Sequence, residues 1–363
     1  MRRRIIPALL MLGACGGAGR TGDPDEAGIE AFRRGDFERA DSILRDAKDP
    51  VSLRVKARIH LFQNRPAQAV PLLEQAVRAE PGNLAVYPEL AAAYARADDF
   101  RNASRWYLLA GDPPLARKCE ALAHRVGFIV EGLGEEARIP YLVPDPVPVI
   151  EATVNGRGGI FILDTGTGEI TLDREFAARA KALAFGTEES ILDEIVLGPM
   201  KVRNVPVRLG TLAAAPGLRA DGIIGLSFLA RFDFTLDDRR GRLTLKRPAA
   251  PPAGGTPAIF GSGSPLLVRG KMNGTLDTFA GLATGLPGVT VAVSDAFLQS
   301  HGGEVREVEA GPIRLSRPRV DPKTFPPGLD VACGFPVGFV LGREALKGRS
   351  FRFDPRAMRV WIE

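Results

Sequence analysis

The feature that most constrains the fold is an internal duplication in the second half of the chain. The segment VNGRGGIFILDTGTGEITL, which begins at Val154, returns as MNGTLDTFAGLATGLPGVTV from Met272 with one residue inserted. Two later pairs keep nearly the same spacing: LGPMKVRNVPV with AGPIRLSRPRV, and FDFTLDDRRGRLTL with RSFRFDPRAMRVWI. Short apolar runs bounded by turn residues indicate β-strands. We therefore expect two similar, mainly β lobes at residues 139–247 and 257–363, related by a pseudo-twofold axis and joined by a Pro- and Gly-rich linker.

Each copy of the duplicated unit ends an apolar strand in a short loop that contains threonine and glycine. The first loop consists of Asp164, Thr165 and Gly166, and its counterpart consists of Ala283, Thr284 and Gly285. Downstream of the first loop, the segment ADGIIGLSFLARFDFTL contains an apolar strand bounded by glycines: Gly222, Ile223, Ile224 and Gly225. A carboxylate at the end of an apolar strand lies against an apolar wall, which makes Asp164 the candidate functional acid.

The first loop, the glycine-bounded strand and the acidic hairpin after it resemble the aspartic peptidases, specifically the bacterial relatives of the retroviral enzymes. The duplication is similar to the two lobes of pepsin-like proteins. The resemblance implies an aspartic endopeptidase in which two carboxylates share one proton, so that one activates a water and the other protonates the departing nitrogen. It also implies that the Thr165 hydroxyl joins the two loops, that the Gly166 amide holds the carboxylate, and that the strand from Gly222 passes beneath the acid. We expect no cofactor.

The second loop departs from this pattern because Ala283 stands in place of the second acid. Three hypotheses follow for Asp164. Two chains form a homodimer in which their Asp164 residues meet as an active peptidase; or the lobes pair within one chain and form a noncatalytic pseudopeptidase that binds peptides or acts as a scaffold; or a lone Asp164 supports weak or different hydrolysis. The segment AFGTEESILDE, where active relatives carry a glycine-rich flap, has one glycine. It predicts either a tight turn or an open cleft, and both disfavour efficient hydrolysis.

The front of the chain predicts a helical domain at residues 26–125, so the fold class is a multidomain chain of all-α helical repeats followed by two mainly β lobes. Apolar residues recur there at helical spacing. Three polar turns each precede a helix with alanine at its fourth position: Ala40 in GDFERADSIL, Ala69 in NRPAQAVPLL and Ala103 in DDFRNASRWY. These segments resemble tetratricopeptide repeats, which implies stacked helix pairs whose concave surface binds a protein partner. The alternative is a helical spacer.

The N-terminus, MRRRIIPALLMLGAC, places three arginines before a short apolar run and predicts an export signal peptide at residues 1–14. The LGAC motif resembles the lipobox of bacterial lipoproteins. It implies a lipid on Cys15, which holds the protein to a membrane on the periplasmic side of the bacterial cell envelope, and a flexible tether at residues 15–25. Loss of the three arginines lowers the formal charge from +5 by three, to +2. With no dense Lys/Arg patch interleaved with aromatic residues, we expect no nucleic-acid binding.

Other polar residues carry structural expectations. Glu169 is predicted to be a surface charge, and Asp173 is predicted to cap a helix. Cys119 and Cys333 are better interpreted as two isolated buried thiols than as one disulfide, although an exported protein permits either. The three histidines have no metal-ligand spacing, so the sequence predicts no metal site.

Overall fold

The computed structural model describes residues 24–212, 218–250, 253–261 and 263–363. The predicted signal peptide, the lipidation residue Cys15 and the tether up to residue 23 lie outside the described residues. Helix α1 begins at Pro24, so the last two residues of the predicted tether belong to a helix. Within the described ranges, no helix is both long enough and apolar enough to cross a bilayer.

The N-terminal segment, residues 24–123, forms helices as its periodicity predicts. Aspartates begin several of them: the side chains of Asp36, Asp49, Asp99 and Asp112 accept hydrogen bonds from amides in the first turn of the helix that follows. The three alanines at the fourth helical positions are fully buried, which lets neighbouring helices approach closely. The helices are α1 Pro24–Arg33, α2 Phe37–Ile43, α3 Pro50–Phe62, α4 Pro66–Ala79, α5 Tyr87–Arg96, α6 Phe100–Leu109 and α7 Pro113–Ala123.

Lobe 1 is mainly β, and its strands begin before residue 139, where the lobe was predicted to start. The strands and short helices are β1 Ile129–Glu131, β2 Glu136–Pro140, β3 Val149–Val154, β4 Arg157–Asp164, β5 Ile170–Asp173, α8 Arg174–Arg179, β6 Leu183–Phe185, β7 Glu189–Leu197, β8 Met200–Gly210, β9 Gly222–Gly225, α9 Leu226–Leu229, β10 Asp233–Asp237 and β11 Arg242–Lys246. The first sheet has the order β1-β8-β5-β9-β4-β3-β7-β6, and a further pairing of β7 with β8 closes it into a barrel.

Lobe 2 repeats these elements in abbreviated form. They are β12 Thr256–Ile259, β13 Leu266–Met272, β14 Leu276–Leu282, β15 Val291–Val293, α10 Asp295–Ser300, β16 Glu307–Ala310, β17 Ile313–Ser316, α11 Leu329–Cys333, β18 Val337–Leu341, α12 Arg343–Leu346, β19 Ser350–Asp354 and β20 Arg359–Ile362. β14 runs parallel to β18, as β4 runs parallel to β9 in lobe 1. The duplicated sequence therefore produces the same strand arrangement around both Thr-Gly loops.

A second sheet crosses from one lobe to the other. Its order is β15-β18-β14-β13-β12-β20-β19-β10-β11-β2, with β16 and β17 attached beside β13. β10 of lobe 1 pairs antiparallel with β19 of lobe 2, and Phe234 lies opposite Phe353. Three strands of lobe 1, in the order β2-β11-β10, thus meet their three counterparts, β12-β20-β19, about a pseudo-twofold axis. The lobes share one hydrophobic core across this sheet.

The helical segment packs directly on the lobes. Phe32, Phe37 and Phe62 of the helices form an aromatic cluster with Phe279 and Phe335 of lobe 2, in which ring centroids lie 4.8 to 6.1 Å apart. Such offset and edge-to-face contacts add to the free energy gained by burying the rings. The helices and lobe 2 therefore form a continuous core rather than separate bodies joined by a spacer.

The two cysteines of the described chain are free thiols buried in different parts of it. Cys119 lies in helix α7 and Cys333 ends helix α11 of lobe 2. This agrees with the interpretation of two isolated thiols. Burial raises the pKa of each thiol to about 12.

Candidate functional site

The two Thr-Gly loops contact each other through a reciprocal set of hydrogen bonds. The Thr165 amide donates to Thr284 Oγ1 at 3.1 Å, and the Thr284 amide donates to Thr165 Oγ1 at 3.3 Å. Each hydroxyl then donates to a carbonyl of the opposite lobe, Thr165 to Leu282 at 2.7 Å and Thr284 to Leu163 at 3.1 Å. Both threonines are buried. The pairing face of the lobe 1 loop is therefore filled by lobe 2 of the same chain.

The Asp164 carboxylate lies beside this contact and accepts three hydrogen bonds. Oδ1 accepts from the amides of Gly166 at 2.8 Å and Gly285 at 2.9 Å, so each loop supplies one donor. Oδ2 accepts from the Thr167 hydroxyl at 2.7 Å. The residue is 9% exposed. Thr167 is a contact that sequence analysis missed, although its position directly after the triplet was the available signal.

The partner position across the pseudo-twofold axis holds a methyl group. A Cβ placed on Gly285 would lie 2.5 Å from the Cβ of Asp164, and a Cβ placed on Gly166 would lie 2.6 Å from the Cβ of Ala283. Each glycine therefore packs directly against the first residue of the opposite loop. Because Gly285 packs on Asp164 and Gly166 packs on Ala283, Ala283 is the counterpart of Asp164. Ala283 is buried in the apolar cluster formed by lobe 2 and the helices. Among the described residues, the hydrogen-bond donors to Asp164 are two loop amides and one hydroxyl, and none is a carboxyl group.

The strand predicted to pass beneath the acid is β9, which lies beside β4 as its parallel neighbour in the first sheet. β4 delivers Asp164 and pairs with β9 so that Asp164 lies opposite Gly225. A Cβ on Gly225 would lie 2.5 to 2.8 Å from the backbone carbonyls of residues 167–169, just beyond the acid loop, and a Cβ on Gly222 would lie 2.4 Å from the Phe161 ring, so both positions require glycine. Between them, Ile224 is fully buried in the lobe core and Ile223 packs in a smaller apolar cluster.

Helix α7 contacts lobe 1 close to the acid loop. Lys118, 3% exposed, forms ion pairs with Glu189 at the start of β7 and, at 3.6 Å, with Glu169 just beyond the loop. The Glu169 side chain is 41% exposed, but its Oε2 is buried without a hydrogen bond, so the prediction of a surface charge is only partly right. Asp173 caps helix α8 as predicted. Sequence analysis missed Lys118 and Glu189 because no local pattern links α7 to β7.

The segment that replaces the flap is a tight turn. Residues 186–188 connect β6 to β7, which is the first of the two predicted alternatives. A Cβ on Gly186 would lie 3.3 Å from Pro114 Cγ, so the turn rests against the start of α7. The helical segment therefore contacts the hairpin. The three-residue connection itself is too short to form a glycine-rich extension that could close over a substrate.

No protein-family model and no curated protein matches the sequence. Among solved structures, the chain is similar to a retropepsin-like aspartic protease from Rickettsia conorii, with 25% sequence identity and a TM-score of 0.25. The match covers 35% of this chain and 99% of that chain, so most of this chain lies outside it. Within the described ranges, no group of three His, Cys, Asp or Glu side chains is arranged to hold a metal ion.

Proposed function

We propose that this protein is a noncatalytic pseudopeptidase, a binding or scaffold protein built on an aspartic-peptidase-like pair of lobes. One observation carries the proposal: the Thr165–Thr284 contact joins the two loops of a single chain and makes Ala283 the counterpart of Asp164. Peptide hydrolysis by this fold requires one carboxyl group to act as base and a second to act as acid. A methyl group can do neither.

The surroundings of Asp164 favour a structural role for its carboxylate. Both oxygens already accept hydrogen bonds, and two of the three donors come from the loop backbones. The carboxylate thus connects the lobes in the same way as the threonines. Oδ2 accepts only one of these bonds and has a lone pair left for a water, but the opposite loop carries no second carboxyl group to act as acid.

An active homodimer would need the two lobes of each chain to separate. The Thr165 and Thr284 hydrogen bonds, the β10–β19 pairing and the shared core would all have to open before two copies of Asp164 could meet. We therefore favour the single-chain arrangement over the dimeric peptidase.

The protein partner is proposed to bind the helical segment, and the envelope location is proposed from the LGAC motif. If Cys15 carries the lipid, Cys15→Ser should move the protein from the membrane fraction to the soluble periplasmic fraction. An unchanged distribution of the variant in cell fractionation would contradict lipid anchoring at this residue.

The test of the function is a cleavage assay on unfolded casein at acidic and neutral pH with three proteins. Wild type and Asp164→Asn should both match the buffer blank, because hydrolysis needs two acids. Ala283→Asp restores the missing carboxylate, and we expect it either to gain acid-favoured cleavage or to lose stability as pH rises. The second outcome follows because facing carboxylates raise the pKa of one of them, so the folded state binds more protons than the unfolded state. Cleavage by wild type that disappears in Asp164→Asn would overturn the proposal.

A further inference from the structure

A cavity of about 310 Å³ lies between the helical segment and lobe 1. Its volume is at the lower end of the range of about 300–1,000 Å³ that small-molecule sites occupy. Helices α5, α6 and α7 supply one side, and lobe 1 with the residues before β13 supplies the other. Asp164 does not line it, so this cavity is distinct from the site between the loops.

About half of the cavity wall is apolar, and aromatic and aliphatic side chains form this part. The apolar lining includes Phe100, Leu115, Leu122, Phe128, Phe228 and Phe260. Such a lining favours a ligand with an apolar body, because burial of apolar surface supplies most of the binding free energy in sites of this kind.

Arg96 is a cation of the cavity wall that forms no ion pair with any described residue. Its guanidinium lies over the Phe260 ring, 5.1 Å from the centroid, and donates to Asn64 Oδ1 at 3.2 Å. Among the described residues, no carboxylate lies within ion-pair distance of it, whereas the neighbouring Arg231 is paired with Asp98 at 2.6 Å. A guanidinium has five N–H donors in a planar fork that matches a carboxylate. Burial lowers the pKa of Arg96 to about 10, as expected for a cation without a counter-ion.

A cluster of Lys118, Glu169 and Glu189 lies at the cavity, and its net charge is opposite to that of Arg96. The Lys118 ammonium is shared by two carboxylates, Glu169 and Glu189, so this group has an excess of one negative charge. Glu169 lines the cavity, and its side chain is 41% exposed. A ligand donor can therefore bind to the accessible part of this carboxylate, whereas a dianionic phosphate would be repelled.

We propose that the cavity binds a small zwitterion with an apolar side chain, namely a hydrophobic amino acid or dipeptide. The ligand carboxylate pairs with the Arg96 fork, its ammonium donates to Glu169, and its side chain packs on the aromatic wall. The inference stands apart from the proposed function, because it involves neither Asp164 nor hydrolysis. Since the ligand would contact α5, α7 and lobe 1 together, it would stabilise the junction between them.

The test is calorimetric titration of the full mature chain with L-phenylalanine and L-leucyl-L-leucine. Derivatives of both probes in which the amine is acetylated, or the carboxylate is amidated, measure how much each charged end contributes to binding. We expect the unmodified probes to bind, and each capped derivative to bind at least about tenfold more weakly. Arg96→Gln, which keeps a donor for Asn64, should weaken binding by at least about tenfold, whereas Arg101→Gln on the exposed face of α6 should leave it unchanged.

A second variant separates loss of the site from loss of the fold. Ala92→Leu adds apolar volume to the cavity wall and leaves both charged groups in place, so it should abolish binding while the circular dichroism spectrum stays that of wild type. Three results would overturn the proposal: no binding of either probe to wild type at millimolar concentration, equal binding by wild type and Arg96→Gln, or Arg96-dependent binding of inorganic phosphate in place of the zwitterions.

Discussion

At the scale of single residues, Ala283 is the position at which the chain departs from the two-acid pattern that its sequence resembles. Asp164, Thr165 and Gly166 hold the positions that the family pattern implies, and Thr284 and Gly285 repeat two of them. Within the two loops, only Ala283 differs in chemical type from its counterpart, Asp164. The Thr165 hydroxyl connects the lobes whether or not a second acid is present, and the Gly166 amide holds the Asp164 carboxylate within its own loop.

The loop contact should therefore contribute measurably to stability. Thr165→Val keeps the shape of the side chain but leaves the Leu282 carbonyl and the Thr284 amide buried without their partner. A buried group that loses its hydrogen bond costs about 1–3 kcal/mol, and we expect urea denaturation to show a loss of that size. Thr165→Ser, which keeps the hydroxyl, is the matched control. Equal stability of the Val and Ser variants would show that these hydrogen bonds do not join the lobes.

At the scale of elements, helix α7 and the β6–β7 hairpin form a single unit. The tight turn of residues 186–188 rests on Pro114, and one turn of helix further along Lys118 reaches Glu189 and Glu169. A short hairpin fixed by a helix cannot act as a closing flap. The hairpin at residues 183–197 is here part of an interface between the helices and lobe 1.

Replacing Lys118 alone should lower the free energy of unfolding far more than replacing Lys118 and Glu189 together. Lys118→Met leaves Glu189, 7% exposed, with only a 3.9 Å contact to Arg208, and breaking a buried pair in this way costs about 3–5 kcal/mol. The double variant Lys118→Met with Glu189→Gln removes the uncompensated charge and should recover much of that loss. Chemical denaturation of wild type, the two single variants and the double variant forms a double-mutant cycle, which gives the interaction free energy between Lys118 and Glu189. Additive effects would mean that the two side chains are not paired.

At the scale of the whole molecule, the helices and the lobes share cores, so they should unfold together. The aromatic cluster joins α1, α2 and α3 to lobe 2, and Lys118 joins α7 to lobe 1. Contacts of this extent couple segments that would otherwise open independently. Any motion of the helical segment as a separate arm would expose the Phe32 and Phe37 rings to water.

The buried thiols of Cys119 in the helical segment and Cys333 in lobe 2 allow the joint unfolding of the two segments to be measured. Since burial raises the pKa of Cys119 and of Cys333 to about 12, almost no thiolate is present near pH 8 in the folded protein, and a thiol-specific reagent should not label either. As urea is raised, we expect both residues to become labelled over the same concentration range, as measured by peptide mass spectrometry. Labelling of Cys119 well before Cys333 would show that the helical segment opens alone.

The parts of the molecule that the sequence could predict are those fixed by local patterns. Strand ends, helix caps such as Asp173, and the repeat of the Thr-Gly loop depend on neighbouring residues, and all are visible in the chain itself. The aromatic cluster was not predictable, because Phe37 and Phe279 are far apart in sequence and each fits an ordinary core position in its own segment. The same holds for Lys118, whose burial depends on one carboxylate from the loop before β5 and another from the start of β7.

The central claim is that Asp164 has no second acid, and the rate of casein cleavage as a function of protein concentration tests it most directly. A lone acid predicts a rate equal to that of the buffer blank at every concentration and every acidic pH. A cleavage rate that rises with the square of the concentration, and that disappears in Asp164→Asn, would show that two chains bring their acids together and would contradict the claim.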